Sequence, residues 1–475
     1  MNNILMPYRV LCTSAMLAGV ALGIAGYAPA TPATPLATVS GLSEVQRPIA
    51  NAIDVVCPTL RPTLHIDPVA NGTIQERFFY SCTSVVQTAA GLNGVPSNNF
   101  DRKLTPEQFG RLLQDIGPNQ MNGQNGGVAT RSTSSLIAAR LFDLRAGARG
   151  VSISVNDVDA PAVADAGRAG ETGVRATGGG ASADSPLDGR LSGFVKIGGN
   201  WGKVDETTLQ DAYKYDAFSI LAGADYRVTN AFVVGGAVSY EDTRSRFDNS
   251  LGHVDATTWS VAGYGTYTSG PWYVDGFMSY GNVDYDTTRT VFMPSNNPSQ
   301  PPLLGSATAS PRGDQWSLAL GTGYNYNMTG YTVTPFGRLG YIHVRNKAFS
   351  ESEPVTGMGL SVDTRTLESL QLALGGTIST TMNSSMGVFS PYFTAQWVHE
   401  FKNDNPSIVA KFVNDPNGLQ FFIPTENPAR DYAVFIVGSS ATFANGLSGF
   451  VQVGAAAGLK DATNYSVTAG LRKEF

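Results

Sequence analysis

The chain closes on NYSVTAGLRKEF, residues 464–475. From Tyr465 every second residue is Tyr465, Val467, Ala469, Leu471, Lys473 and Phe475, while Ser466, Thr468, Gly470, Arg472 and Glu474 lie between them. This is a strand's period of two, with one mostly apolar face and one small or polar face. A terminal strand of a soluble domain usually runs into a few disordered residues. Here an aromatic side chain coincides with the terminal carboxylate, which suits a strand ending at a membrane interface. A single alternating segment fits a soluble half-buried sheet equally well, so the rest of the chain has to decide.

Composition leans toward the membrane. Of 475 residues 15% are charged and 53 are glycine, against soluble averages of about 25% charged and about 7% glycine. The net charge of −6 comes without a basic stripe, which argues against a nucleic-acid partner. The N-terminus reads as an export signal spanning residues 1–30: Arg9 supplies the positive region, LCTSAMLAGVALGIAGYA the apolar core, and Ala28-Pro29-Ala30 the small-x-small cleavage pattern. The alternative is an uncleaved anchor helix. Nowhere else does a run approach the about 20 apolar residues of a spanning helix, so a membrane protein of this sequence must cross with strands. Cys12 falls within the signal, leaving Cys57 and Cys82. In an exported chain, with no histidine or second cysteine at zinc spacing, such a pair reads as a disulfide; two unpaired core thiols are the alternative.

Residues 31–130 read as a small α-helical region. PIANAIDVVC sets Ile49, Ala52, Ile53 and Val56 on one face, and TIQERFFYSCTSVVQTAA sets Ile74, Phe78, Cys82, Val85 and Ala89 on one. A hairpin of two such helices, stapled by Cys57 and Cys82, is too small to be stable without that help. TPEQFGRLLQDIG opens as a capping box with Thr105 at the N-cap, Pro106 at the first helical position and Gln108 in the reciprocal position; its apolar face is Phe109, Leu112, Leu113 and Ile116. Residues 131–190 hold a further helix, STSSLIAARLFDLRAG, with Ile137, Leu141, Leu144 and Ala148 as its stripe and Arg140, Arg145 and Arg149 around it. A linker of Ala, Gly, Asp and Ser follows.

From residue 191 to 475 twelve strands are expected, at about 191–205, 212–228, 231–246, 254–269, 271–288, 312–328, 331–347, 363–381, 387–402, 430–444, 447–459 and 463–475. Many meet or exceed the about 9–11 residues of a tilted membrane strand. One face is apolar throughout, as in Phe218, Ile220, Ala222, Ala224, Tyr226 and Val228, and aromatics gather at its ends: Trp272 with Tyr280, Trp316 with Tyr326, Phe232 with Tyr240. The opposite face is small and polar with scattered Glu241, Asp275 and Arg338. Every second connection is tight (Thr229-Asn230, Ser269-Gly270, Thr329-Gly330, Asn383 to Met386, Asn445-Gly446), and those between are mostly longer: 206–211, 247–253, 289–311, 348–362, 403–429 and 460–462. Short periplasmic turns alternating with long outer loops are the mark of an outer-membrane barrel. An even strand count puts both ends of the barrel domain on the periplasmic side, so the N-terminal segment starts there. In hydrocarbon an unpaired backbone group costs several kcal/mol, so the sheet must close and the last strand pair with the first. The expected fold is membrane all-β, a 12-stranded antiparallel transmembrane β-barrel preceded by the helical region and linker.

The chain resembles the autotransporter family, type V secretion proteins of Gram-negative bacteria. The matching features are the signal peptide, the helix and linker before the first strand, GPWYVDGFMSYGNVDYDTTR, SPYFTAQWVHEF and the terminal GLRKEF. The resemblance implies assembly by the barrel assembly machinery through an alternating C-terminal signal, here Tyr465, Val467, Ala469, Leu471 and Phe475. It also implies that residues 131–150 have a place in the barrel lumen, where Arg140, Arg145 and Arg149 would suit acidic partners; exposure to the periplasm explains these arginines equally well. Typical passengers of the family are long β-helices, whereas only about 31–190 precede this barrel, with no repeats at the required period.

Catalytic chemistry is not in view. His65, His253, His343 and His399 are scattered, His399-Glu400 lacks the rest of HExxH, and no GxSxG elbow occurs. No cofactor or metal is expected. The leading expectation is a non-enzymatic translocator that displays or exports its own short N-terminal region. Alternatives are an outer-membrane channel and a surface adhesin acting through 289–311 and 403–429. Expected partners are outer-membrane lipid and lipopolysaccharide, the assembly machinery and periplasmic chaperones, with the barrel a monomer.

Overall fold

The computed structural model describes residues 35–60, 72–118, 133–134, 136–138, 140–141, 144, 153–155, 190–248, 251–443 and 447–473. Three α-helices come first: α1 (Gln46–Val56), α2 (Ile74–Leu92) and α3 (Pro106–Ile116). Twelve long strands follow, β1 (Leu191–Val204), β2 (Tyr213–Arg227), β3 (Phe232–Phe247), β4 (Gly252–Ser269), β5 (Trp272–Met293) and β6 (Arg312–Tyr324). The second half is β7 (Tyr331–Asn346), β8 (Arg365–Ser379), β9 (Gly387–Glu400), β10 (Asp431–Phe443), β11 (Leu447–Ala457) and β12 (Ala462–Lys473). Each pairs antiparallel with the next, and the sheet closes into a 12-stranded antiparallel barrel. No described helix is long and apolar enough to cross a membrane.

Closure is less simple than a direct pairing of first and last strands. β1 and β12 meet only from Trp201↔Tyr465 to Val204↔Ala462, at the end with the long loops. Toward the short-turn end Ile153–Val155 lies between them, parallel to β1 and antiparallel to β12. The backbone groups that would face hydrocarbon along that part of the seam are thereby paired with a third segment.

The alternation places side chains as expected. Phe218, Val238, Val261, Met278, Leu320 and Val437 point outward and are exposed, while Ser219, Leu221 and Asp225 point inward and are buried. Aromatic pairs ring the exterior at two levels, Trp272 against Tyr324 (4.8 Å between centroids) near the short turns and Tyr240 against Trp259 (5.0 Å) and Trp316 against Tyr341 (4.9 Å) toward the loops. Trp272 and Tyr280 lie eight residues apart on β5, about 26 Å along a strand and about 20 Å in height at the usual tilt, which matches an apolar band about 25 Å tall. Gly270 and Gly330 sit in the tight turns with φ of 58° and 90°, the left-handed values such hairpins require. The turn expected at Asn445-Gly446 lies outside the described residues.

The long connections carry structure that their sequence did not announce. Those at 289–311, 348–362 and 403–429 are not plain loops. β5 runs on to Met293 and is extended into a hairpin by Leu303–Ala309, while Phe349–Ser350, Leu360–Val362, Ile408–Phe412 and Phe421–Ile423 form a separate four-stranded sheet. Their side chains alternate too, with Leu360, Val362, Ile408, Ala410, Phe412, Phe421 and Ile423 buried. Nor is the helical region a core of its own, because those buried side chains belong to the same hydrophobic cluster as the inner faces of α1, α2 and α3. Of the expected α2 face, Ile74 is exposed and the rest is buried.

A charge placed at the centre of the lipid face measures the membrane assignment. Val437→Arg should cost about 2–4 kcal/mol of folding free energy in denaturant titrations in lipid vesicles.

Candidate functional site

Inside the barrel, helical backbone occurs at Thr133, Ser134, Leu136 to Ala138, Arg140, Leu141 and Leu144. Leu136, Ile137, Leu141 and Leu144 pack against the inward side chains Phe194, Leu221, Val233, Ala237, Tyr264, Phe277 and Ala319. The segment begins at mid-height, where the Thr133 and Ser134 hydroxyls lie 3.3 Å from those of Ser239 and Ser317, and descends toward the short turns. There Arg140 meets Asp225: Nε donates at 2.9 Å, and Nη2 donates to the same carboxylate oxygen. Tyr264 donates its hydroxyl to the other oxygen at 2.5 Å, and the guanidinium lies over the Phe194 ring, 4.4 Å from its centroid. Both members of the pair are almost fully buried, so each is the other's compensation for lost water, and removing one leaves a stranded charge. The inward glycines, serines and alanines of β1 to β6 leave the width that this segment occupies. Toward the loop end a cavity of about 370 Å3 remains, lined by Asn200, Tyr213, Tyr215, Val344, Gln371 and Val434 among others.

The second assembly is at the loop end, where the three helices rest on the barrel's own extensions. Both caps are built by the sequence: Thr105 with Gln108, as expected, and Thr73 with Glu76, whose T-x-x-E spacing is the same signal and was equally readable. Below the helices lie Val291, Met293, Leu303, Met358, Leu360, Val362, Ile408, Phe412, Phe421 and Ile423, with Phe78 against Phe412 at 5.4 Å. Gly357 takes φ +72° where the chain passes under α2, and a Cβ there would stand 2.7 Å from the Phe78 nitrogen, so only glycine permits the approach. The proline-rich stretch 294–302 turns its polar groups to residues 99–103, between α2 and α3. Arg102, fully buried, donates through Nη1 to the carbonyls of Met293 (3.1 Å), Pro301 (3.2 Å) and Pro294 (3.4 Å). Asn297 donates to the Asp101 carbonyl at 2.7 Å, Gln300 to that of Asn99 at 2.9 Å, and Asn296 to that of Lys103 at 3.0 Å. Burial holds the Arg102 guanidinium below its ordinary pKa.

Charge marks the seam between α3 and the barrel rim. Arg289 is buried in a two-point pair with Glu351 (3.1 and 2.5 Å) and donates to the Asp115 carbonyl at 2.5 Å. Beside it a cleft of about 620 Å3 is lined by Glu107, Arg111, Asp115, Glu206, Asp211 and Asp248. Burial, reinforced by Asp211, pushes the Asp115 carboxyl up to about 7 against the opposing pull of Arg289, the Phe292 amide and Arg111. Burial also raises Asp211 to about 6, helped by Glu206 and opposed by its hydrogen bond from Gln114.

The residues singled out in the sequence fall as follows. Cys57, just after α1, and Cys82, within α2, are joined as a disulfide with a Cα–Cα distance of 5.5 Å. Tyr465 is exposed on the outer face of β12, and Val467, Ala469 and Leu471 lie on the same strand at alternate positions. Phe475, Arg145, Arg149, the signal at 1–30 and most of the linker lie outside the described residues. His399 sits 2.8 Å from Asp431 on the outer face and Glu400 faces inward, hydrogen-bonded by Ser369, Leu370, Gln371 and Lys402, so the two are not one site. Among the described residues no group of three or more His, Cys, Asp or Glu could hold a metal ion.

These features define a transmembrane β-barrel whose lumen carries part of its own N-terminal chain. A family model described as the autotransporter beta-domain matches residues 193–454, and the chain belongs to that family. Similar solved structures include the translocator domain of the autotransporter NalP from Neisseria meningitidis, 17% identical over 62% of this chain and 90% of that one, with a TM-score of 0.45. The transport unit of AIDA-I from Escherichia coli is likewise 17% identical, over 59% and 89%, with a TM-score of 0.42. The β-domain of the Bordetella autotransporter BrkA is 15% identical, over 60% and 99%, with a TM-score of 0.41. No curated protein matches the chain. The barrel is an autotransporter translocator barrel, a structural transport domain.

Breaking the lumen pair should loosen the segment within the barrel: in planar bilayers Arg140→Ala or Asp225→Asn should raise steady conductance severalfold over the unmodified protein, and the double variant should exceed neither single change. At the seam, an Asp whose folded pKa is raised contributes full stability below its unfolded value, near 4, and loses it as pH rises through the folded value. Attachment of the helices, followed by protease resistance of residues 35–118, should therefore weaken between about pH 4 and about pH 7. Asp115→Asn with Asp211→Asn should flatten that profile.

Proposed function

We propose that the protein is an outer-membrane translocator that carries its own N-terminal helical unit to the cell surface and keeps it there, docked on the long loops rather than released. The signal at 1–30 would deliver the chain to the periplasm, and assembly into the membrane would use the C-terminal strand, with chaperones escorting the unfolded barrel. The observation that carries this reading is the single hydrophobic core shared by α1, α2, α3 and the loop extensions. A passenger meant to leave would bury its apolar faces within itself. Each of the large loop side chains beneath these helices is worth about 1.5–3 kcal/mol relative to exposure, and a detached helical unit would show them an open greasy surface in return. A monomeric barrel suffices, since one chain supplies both sides of the contact. No chemistry is assigned to the helical unit. The adhesin alternative loses its simplest form, because Asn296, Asn297 and Gln300 of the loop at 289–311 are bonded to the helical unit.

A protease site placed within residues 119–131 would sever the unit from the lumen segment. After cutting in detergent, the helical fragment should co-elute with the barrel, and Met358→Asp with Phe412→Asp should set it free. Shaving of intact cells should reach the same engineered site. A fragment that separates without those substitutions, or a site protected on intact cells, would contradict the proposal.

A further inference from the structure

Above the upper aromatic ring the barrel exterior turns from apolar to charged, and its cations are mostly held by neighbouring carboxylates. Arg246 lies 2.6 Å from Asp255, Arg244 3.2 Å from Asp242, Arg312 3.2 Å from Asp284, Lys402 2.8 Å from Glu368 and Lys203 2.6 Å from Asp205. Two depart from this pattern. Arg345, the last outward residue of β7, and Lys347, just past the end of that strand, are both exposed, and among the described residues neither has a carboxylate oxygen within 4.0 Å. Asp314 is the residue paired with Arg345 across β6, yet it makes no ion pair with it, and Lys347 neighbours a third cation, since its backbone N–H bonds the Arg312 carbonyl at 2.8 Å. The outer face of β7 therefore reads, from the membrane upward, Tyr341, His343, Arg345, with Lys347 just past the strand's end and Trp316 packed on both Tyr341 (4.9 Å) and His343 (5.6 Å).

Height identifies what meets these cations. Trp316 and Tyr341 mark the edge of the hydrocarbon. Arg345 is four residues farther along the strand, about 13 Å of chain and about 10 Å of height at the usual tilt, which is just beyond the polar zone of about 5–8 Å that ordinary phospholipid headgroups occupy. Phosphates carried on sugars, a step farther from the acyl chains, lie at the level of the two side chains. Guanidinium offers such a group a forked set of donors and the ammonium a point charge.

We propose that the outward faces of β6 to β8 form a binding site for the sugar-borne phosphates of a glycolipid in the surrounding leaflet, with Arg345 and Lys347 as the ligating side chains and Arg312 at the margin. Trp316, exposed on β6, packs against its acyl chains below, while Tyr341 beside it is held by Glu368 and Lys402. The leaflet named rests on the proposed orientation, loops outward, but binding in detergent does not depend on orientation, so the two can fail separately.

The test is native mass spectrometry of the full chain in nonionic detergent with a bisphosphorylated disaccharide glycolipid, its dephosphorylated form, phosphatidylglycerol, or inorganic phosphate as competitor. Arg345→Ala with Lys347→Ala should lower retention of the bisphosphorylated lipid about tenfold or more, while Lys214→Ala, an exposed cation held near Asp248 at 3.9 Å, should leave it unchanged. Heat-dependent gel mobility verifies that each variant still forms the barrel. Equal retention by the double variant, equal retention of the dephosphorylated lipid or of phosphatidylglycerol, or displacement by millimolar inorganic phosphate would each overturn the proposal.

Discussion

A peptide group in hydrocarbon has no solvent to bond with, and each one left unpaired costs several kcal/mol. Twelve strands of this chain answer that constraint by pairing in sequence order around a cylinder, with Ile153–Val155 inserted where β1 and β12 do not meet. Once the cylinder is closed, the pleat divides every strand into an outer set that meets lipid and an inner set that does not. The inner set can be small and polar without penalty. That smallness, spread over β1 to β6, makes the room in which the segment from Thr133 to Leu144 lies.

Charge then works in opposite ways at three depths. In the lumen, Arg140 and Asp225 are buried and bonded to each other, so their worth is as a registration device: the segment fits where its guanidinium finds that carboxylate and the Tyr264 hydroxyl. At the seam with α3, Arg289 and Glu351 form a similar closed pair, whereas Asp115 and Asp211 face one another across a cleft with raised pKa values and make the same junction sensitive to acidity. On the exterior, Arg345 and Lys347 remain in water with no carboxylate oxygen within 4.0 Å among the described residues, which is the basis of the anion site proposed for them.

The helical unit and the loop extensions form one structure contributed by two distant parts of the chain. Cys57 and Cys82 hold α1 to α2 locally, and Arg102, Asn296, Asn297 and Gln300 join the 99–103 stretch to 293–301. The greater part of the attachment is apolar. Such a unit cannot bury its faces before the loops are in place, so its folding and its docking are coupled.

The strands, their faces, the aromatic rings and the alternation of short turns with long connections were all legible in the residues, because lipid imposes a strict period of two over many residues and tolerates few exceptions. The capping boxes and apolar faces of α2 and α3 were legible for the same local reason: each depends on residues three or four apart. What the sequence did not disclose is which surface covers the helices. The alternation at Leu360–Val362, Ile408–Phe412 and Phe421–Ile423 is real, but it is only three to five residues long and interrupted by Pro, Asn and Gly. Arg140 was visible as a cation beside an apolar stripe, with lumen and periplasm both open to it; Asp225 became its partner only when closure brought β2 against that stripe. Periodicity states that a face must be buried, and chain closure and long-range packing alone decide against what.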